Sequence, residues 1–400
     1  MEGLAETNPP QSTLGEPGAE IIKDIRLRTC IQCGMCGGVC PYGFSMEYSP
    51  IRMIAAIRAQ AFQRVIDTDS VWMCVACSAC TTQCPSAIPL TRELMARTKE
   101  ELILAGRVPA ELQDALEKSQ RYGNPLGESP RKRTDWMRGI ESLVKVMGRD
   151  TRQADVLWYV GDYASYHPRV QPGTRTLALL MHRLGIDFAI LGVDENSDGD
   201  SQRLAGERGL FELLAEKNGR AFRRYSFNQI LTTDPHAYNA FKNEYPQLGI
   251  TYKVQHYTEF LAERLDLLRA KMVRPLNARV TYHDPCYLGR VNGIYDQPRA
   301  LLRAIPGIDL VEMPHNRKTS LCCGGGGGGM WLDGFIWEKT HVRLSEWRVE
   351  EALMRGADIL AVACPYEASR FEDATKTVKG AEGLLVRDIS ELISDALEPI

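Results

Sequence analysis

The sequence has no run of about 18 uninterrupted apolar residues, so nothing in it reads as a membrane-spanning helix. The nearest stretch, residues 177–191, is broken by His182, Arg183 and Asp187. Charge of one sign is missing too: 48 Lys and Arg against 51 Asp and Glu leave a formal charge of -3, giving no electrostatic footprint for nucleic acid or an anionic membrane. The opening stretch MEGLAETNPPQSTLGEPGAE lacks the basic segment followed by an apolar one that marks a secretory leader. No G-x-G-x-x-G follows a strand-like run, which argues against a flavin or nicotinamide site of the chain's own. With 44% hydrophobic and 25% charged residues, disordered and collagen-like classes are excluded, and 400 residues suit two or three domains.

Cysteine is what the chain has in quantity. Of 12 cysteines, eight fall within residues 30–84, and the others are Cys286, Cys322, Cys323 and Cys364. A disulfide framework belongs to short secreted chains, so these thiols read as metal ligands in a reducing cytoplasm.

The chain divides by composition. Residues 1–20 are rich in Pro, Gly, Glu and Thr and read as a flexible tail. Residues 21–110 read as helical. Ser49 and Pro50 before IRMIAAIRAQAF give a helix start, and residues 91–105 a second helix stopped by Gly106. Residues 111–150 are charged and contain GNPLGESPRKR, a connecting segment with one or two amphipathic helices. Beyond residue 155, apolar runs at 156–160, 188–193, 229–233, 279–283, 308–313 and 358–364 alternate with helical patterns, which predicts parallel α/β units.

A repeat is visible in this α/β region. Asp162 to Ser197 is 35 positions and Cys286 to Cys322 is 36, while Asp198 to Asp234 is 36 and Cys323 to Cys364 is 41. Residues 151–270 and 271–400 therefore read as two copies of one domain, the first without thiols.

Residues 30–41, CIQCGMCGGVCP, and residues 74–85, CVACSACTTQCP, are each C-x2-C-x2-C-x3-C-P. In this run three thiolates in a tight turn meet three corners of a 4Fe-4S cube, and the fourth crosses to the other cluster. The expected sets are Cys30, Cys33, Cys36 and Cys84, and Cys74, Cys77, Cys80 and Cys40. Gly34, Gly37 and Gly38 let backbone N–H groups approach cluster sulfur. A pair of structural zinc sites is the competing reading.

Downstream, Cys322 and Cys323 precede six glycines, Gly324 to Gly329. A vicinal pair suits neighbouring irons of an open cluster, and the glycines, Gly324 and Gly325 first, allow the backbone to close on it. Cys286 and Cys364 each follow a strand-like run, where open α/β sheets place ligands. Buried thiols beside a plain flexible loop are the alternative.

CIQCGMCGGVCP, YSPIRMI, SVWMCVACSACTTQCP, HDPCYLGR, LCCGGGGGG and CPYE together resemble the D-type subunit of heterodisulfide reductase, over residues 25–375. The resemblance implies a helical two-cluster ferredoxin module followed by a pseudo-duplicated α/β region of cysteine-rich CCG domains. It also implies a third, non-cubane cluster with five thiolates, which receives electrons singly and reduces a disulfide. Its implied partner is a flavoprotein like the A-type component of that reductase, or a membrane cytochrome; nucleic acid is not expected. The chain is then cytoplasmic, or peripheral to the inner face of the membrane through that partner.

Two departures qualify the implied activity. The first copy carries Asp162, Asn196, Ser197, Asp198, Asp234 and Ala237 where thiols would fall, so no cluster is expected there. The second carries Glu367 at the fifth position, which leaves open a 2Fe-2S centre, a cubane, or a non-cubane cluster with a carboxylate ligand. Cys286, Cys322, Cys323 and Cys364 are the expected catalytic set, in a heterodisulfide reductase-like oxidoreductase subunit or in a relay subunit whose chemistry lies on a partner. His283 and Asp284 read as strand-end or capping residues, with donors behind the ligands or a proton source as the alternative, and His236 as a surface histidine, with a cavity-lining role as the alternative. Arg131, Lys132 and Arg133 read as a solvated basic run, and Trp331, Trp337 and Trp347 as core or interface anchors.

Overall fold

A computed structural model describes residue 21 and residues 23–398 of the chain; the tail expected over 1–20 lies outside the described residues. Residues 25–104 fold mostly as short helices. Pro50–Arg58 begins with Ser49 extended at its N-cap and Pro50 at the first turn, and it buries Met53, Ile54 and Ile57. Thr91–Ala96 and Arg97–Leu104 form one rod that turns Leu94, Met95 and Leu102 inward.

The rest is α/β. One sheet contains β1 (Lys145–Val146), β2 (Gln153–Tyr159), β3 (Phe188–Ile190), β4 (Ser226–Thr232) and β5 (Val254–His256), in the order β1-β3-β2-β4-β5. The other contains β6 (Ala278–Tyr282), β7 (Ile308–Leu310), β8 (Ile359–Val362) and β9 (Leu385–Asp388), in the order β7-β6-β8-β9. Every pairing in both sheets is parallel. Helices cover the faces, which is why β8 is buried at every position and reads as an unbroken apolar run. Three strands escape the sequence pattern: β1 has two residues, and β5 and β9 are short and mixed with polar residues.

Apart from β1, the two sheets share one strand order: second, first, third, fourth. The helix Gln171–Arg183 between β2 and β3 packs on Ile389–Ala396 after β9, and Asp296–Ala304 between β6 and β7 packs on Tyr257–Ala262 after β5. One apolar core spans both sheets, from Trp136, Trp158 and Leu177 to Val280, Leu302 and Leu392. A second core ties the N-terminal helices to loops beyond the sheets and contains Met53, Trp72, Leu94, Leu204, Tyr287 and Leu344.

Candidate functional site

The two N-terminal cysteine loops share one backbone shape. Gln32 and Gly34, at φ of 59° and 80°, flank Cys33, and Ala76 and Ser78, at 49° and 59°, flank Cys77. Left-handed residues on either side of a cysteine turn successive N–H groups into a concavity suited to an anionic centre. The third cysteine of each loop sits on a one-turn helix, Met35–Gly38 or Ala79–Thr82. Cys30, Cys33, Cys36 and Cys84 line one small cavity. Burial, then the charges of Cys30 and Cys84, push the Cys36 thiol up to about 11. In the other group Cys80 lies among Cys77, Cys74 and Cys40. Thiols gathered this closely repel one another as thiolates, and bound iron relieves that cost.

In the second sheet the chain passes from β6 to β7 on one side and returns to β8 on the other, so a crevice opens at the C-terminal ends of β6 and β8. Cys286 follows β6, Cys364 caps the helix Pro365–Thr377 after β8, and Cys322 and Cys323 come from the loop after β7. All four are buried. Cys286, Cys323 and, from the second N-terminal group, Cys77 surround Cys322 and push its thiol well above the ordinary value, and Cys77 and Cys322 line one cleft. The Gly324 N–H donates to Cys322 Sγ at 3.2 Å and the Gly325 N–H to Cys323 Sγ at 3.4 Å. The glycine run then lies directly on the 74–76 loop, where a Cβ on Gly326 would stand 2.8 Å from the Val75 carbonyl and one on Gly327 2.7 Å from Ala76 Cβ.

Two buried guanidinium groups face these thiols. Arg290 Nε donates to the Cys77 carbonyl at 2.8 Å, and Arg370 Nε donates to the Cys323 carbonyl at 3.1 Å. Cys323 is held well below its ordinary value, first by its hydrogen bond from Cys322 and further by His283 and Arg370. A cleft of about 690 Å³ opens beside Cys322, with Arg290, Lys318, Phe44 and Trp347 in its walls.

Glu367 points into the crevice. Its Oε1 is 3.2 Å from His283 Nε2, while its Oε2 is buried without a hydrogen-bond partner. Arg348 Nε donates to His283 Nδ1 at 3.1 Å, which puts the ring proton on Nε2. His283, Cys323 and Glu367 offer ligand atoms within 4.8 Å of one another. Burial raises Glu367 to about 7 against the opposing pull of His283. The strand-end placement expected for His283 holds, and its ring additionally reaches Glu367.

At the matching crevice of the first sheet, Asp162 follows β2 and Asp234 follows β4, and both are buried with Ser197, Asp198 and Ala237. Arg133 is 2.8 Å from Asp162 and 2.8 Å from Glu195. Its burial corrects the expectation of a solvated basic run, although Arg131 and Lys132 are exposed. Burial, then the charge of Asp234, pushes Asp198 well above the carboxylate range. His236 is also a correction: it is 7% exposed rather than on the surface, and it lies beside Cys286 in a small shared cavity. Of the tryptophans, Trp331 and Trp347 pack against the second core, and Trp337 is partly exposed. Arg290, Arg370, Glu195 and Asp200 went unread in the sequence, where no motif separates them from ordinary surface charges.

Among the described residues no helix is long and apolar enough to cross a membrane. Residues 26–88 match the 4Fe-4S dicluster domain family, and residues 280–366 the cysteine-rich domain family. The chain is 32% identical, over 95% of its length and 62% of the relative's, to the probable iron-sulfur-binding oxidoreductase FadF of Bacillus subtilis. It is 33% identical to the EtfAB:quinone oxidoreductase of Syntrophomonas wolfei, over 84% of this chain and 47% of that one. It thus spans roughly half to three fifths of the length of these two relatives. To the D-type subunit of the dihydromethanophenazine:CoB–CoM heterodisulfide reductase of Methanosarcina acetivorans it is 30% identical, over 82% of this chain and 78% of that one. The dicluster domain carries two 4Fe-4S clusters, and the cysteine-rich domain points to a further one. With both domains present in one α/β chain and alignment to that reductase component over most of both lengths, the protein belongs to the family of heterodisulfide reductase D-type subunits.

Proposed function

We propose that the chain passes electrons through the two 4Fe-4S clusters to or from a third iron-sulfur site at Cys286, Cys322, Cys323 and Cys364, where a disulfide, a thiol or a bound sulfur carrier reacts. The observation that carries this reading is the position of Cys322, which lines one cleft with Cys77 of the second N-terminal group and whose thiol is pushed up by Cys286. The first cluster belongs to Cys30, Cys33, Cys36 and Cys84, and the second to Cys74, Cys77, Cys80 and Cys40. When bound, the clusters supply one-electron transfer and no bond chemistry of their own. The chain's residues do the rest. The N–H groups of Gly324 and Gly325 and the cations Arg290 and Arg370 stabilise negative sulfur, and Glu367, with its unpartnered Oε2, takes the fifth ligand position. All four thiols are buried, with Cys322 at the wall of the cleft.

The domain division follows from the same reading: 21–110 is the two-cluster module, 111–150 a connection, 151–270 a CCG domain without a cluster and 271–400 its cluster-binding copy. The common strand order and the reciprocal helix packing, each crossover helix resting on the other half's last helix, support a duplication related by a pseudo-two-fold axis. The partner is a flavoprotein or a membrane cytochrome, which would hold the chain at the inner face of a membrane. A second reading, an electron relay whose chemistry lies on that partner, is favoured by Glu367 standing in place of the fifth thiol.

Iron and sulfide analysis with electron paramagnetic resonance on anaerobically purified protein tests both readings. About twelve irons mark a third four-iron cluster and about ten a two-iron one. Cys322→Ser is expected to remove the third signal and disulfide turnover together, and a variant that keeps both would overturn the proposal. A third signal that does not respond to added thiol would favour the relay.

A further inference from the structure

The cleft of about 690 Å³ beside Cys322 has the size of a small-molecule site, and both halves of the chain build it. Cys40 and Cys77 line it from the N-terminal loops. Of the four downstream cysteines only Cys322 reaches it, because Cys286, Cys323 and Cys364 line a separate small cavity. A molecule in the cleft therefore meets the downstream thiols from the Cys322 side. Pro41 and Phe44 give the cleft apolar surface from the N-terminal module, and Leu321 and Trp347 give it apolar surface from the second α/β half. Phe44 is 63% exposed, so its ring is open to a ligand. The charges in the wall have one sign. Among the described residues that line the cleft there is no Asp or Glu, whereas Arg290 and Lys318 both belong to it, with His315, whose Nδ1 is turned to Glu351. A chain of net charge -3 thus carries a locally positive cleft at the one downstream thiol that the cleft reaches.

The two cations are held in different ways. Arg290 is tied to both walls, through Nε to the Cys77 carbonyl at 2.8 Å and through Nη1 to the Ser320 carbonyl, while its Nη2 is buried without a partner. Lys318 sits on the single turn Arg317–Thr319, four positions before Cys322. That turn is fixed, since the Arg317 N–H donates to the buried Asp284 Oδ2 at 2.7 Å. The Arg317 side chain is paired with Asp296 at 2.7 Å, but Lys318 has no hydrogen bond or ion pair among the described residues. An anion bound by Lys318 breaks no ion pair of the protein, and its bond to the ammonium is charge-assisted. We propose that the cleft is the substrate site and that Lys318 sets its specificity, selecting a small disulfide that carries a carboxylate, sulfonate or phosphate arm over neutral and cationic ones. The inference rests on the reading of Cys286, Cys322, Cys323 and Cys364 as a reaction site, and it narrows the substrate of that site. The reaction balances simply. Two electrons arrive singly from the donor, the substrate S–S bond breaks, two protons come from water, and two thiols leave, each still holding its arm.

Three small disulfides of different charge test this on the full, cluster-loaded chain, with reduced methyl viologen as the electron donor: dithiodiglycolate, bis(hydroxyethyl) disulfide and cystamine. The wild type is expected to show its lowest KM for dithiodiglycolate. Lys318 is exposed, so its variants should keep the fold and the irons. Lys318→Gln is expected to raise the KM for dithiodiglycolate about 10-fold at unchanged kcat, the worth of one hydrogen bond from a charged donor. Lys318→Glu is expected to raise it about 100-fold and to lower that for cystamine, because like charges then meet in the cleft. Lys132→Glu, whose charge lies outside the cleft, should leave all three values unchanged. Calorimetric binding of dithiodiglycolate to the oxidised protein, without donor, gives a second readout that needs no turnover. Turnover of all three disulfides with KM values indifferent to their charge and to Lys318→Glu would overturn the proposal. If the wild type reduces no disulfide, the reaction reading fails and calorimetry decides the cleft. Binding that Lys318→Glu abolishes then upholds the anion site, and absence of binding refutes it.

Discussion

Lys99 Nζ donates to the Gly327 carbonyl at 2.7 Å and to the Cys74 carbonyl at 2.8 Å, so one buried ammonium clamps the downstream glycine run to the second N-terminal cysteine loop. Lys99→Met keeps the apolar stem and removes both bonds, leaving two inward carbonyls without this donor. A loss of about 3 kcal/mol is expected, because hydrogen bonds from a charged donor are at the strong end of the range. Thermal unfolding of the loaded protein measures it, and an unchanged transition would show that the clamp is not needed.

The glycine run makes a second, steric prediction. Gly327 has φ +59° and its missing Cβ would fall 2.7 Å from Ala76 Cβ, whereas Gly209 has nothing within 4 Å. Gly327→Ala is expected to displace the 74–76 loop and lower iron content. Gly209→Ala, inside the helix Arg208–Phe222, should be neutral or stabilise by about 0.5–1 kcal/mol. Equal iron content in all three proteins would refute the close-approach argument.

The crossing of ligands between the two cysteine runs is open to iron counting. Cys84→Ser and Cys40→Ser should each cost about four irons. Only Cys40→Ser should alter magnetic coupling to the downstream site, since Cys40 shares its group with Cys77, which lines one cleft with Cys322. If Cys84→Ser altered that coupling and Cys40→Ser did not, the crossed assignment would be reversed.

Arg133 holds Asp162 and Glu195 together out of water, all three nearly inaccessible. Arg133→Met leaves two buried carboxylates without their cation and is expected to destabilise by about 3–5 kcal/mol. Lys132→Met, whose pair with Glu128 is exposed, should change stability by less than about 1 kcal/mol. Urea unfolding of the two variants separates these outcomes.

His256 gives a pH dependence whose sign can be worked out. It is buried, its Nδ1 lies 2.7 Å from Thr258 Oγ1, its Nε2 lies 3.1 Å from the Thr233 carbonyl, and burial pulls its pKa down from 6.5 to about 3. Between these values the unfolded chain binds a proton that the folded chain refuses, so stability is full above pH 6.5 and is lost as pH falls toward 3. The slope approaches about 1.4 kcal/mol per pH unit. His256→Asn supplies a capping oxygen in place of Nδ1 and should remove about 2 kcal/mol of the difference between pH 7 and pH 5. Urea midpoints at the two pH values would check it, and identical losses in both proteins would assign the acid sensitivity elsewhere.

The eight N-terminal cysteines were legible in the sequence because their chemistry is local: three thiolates two residues apart meet one cluster through the geometry of a single turn. The alternation of apolar runs with helical patterns likewise predicted parallel α/β units, since strands buried on both faces have little choice of residue. Cys286 and Cys364 were found by their place after such strands, and the Cys322-Cys323 pair by the six glycines behind it. What the sequence by itself could not decide is which charges go inside. Arg133 stood in a basic run with Arg131 and Lys132, yet it alone is buried, because Asp162 and Glu195 arrive from 29 and 62 positions away. His236 read as a surface residue, and Asp200, 36 positions earlier, joins it only once the segments after β3 and β4 meet at the crevice of the first sheet. Burying such groups is tolerable only when their partners are present, and those partners are supplied by the tertiary fold rather than by sequence neighbours.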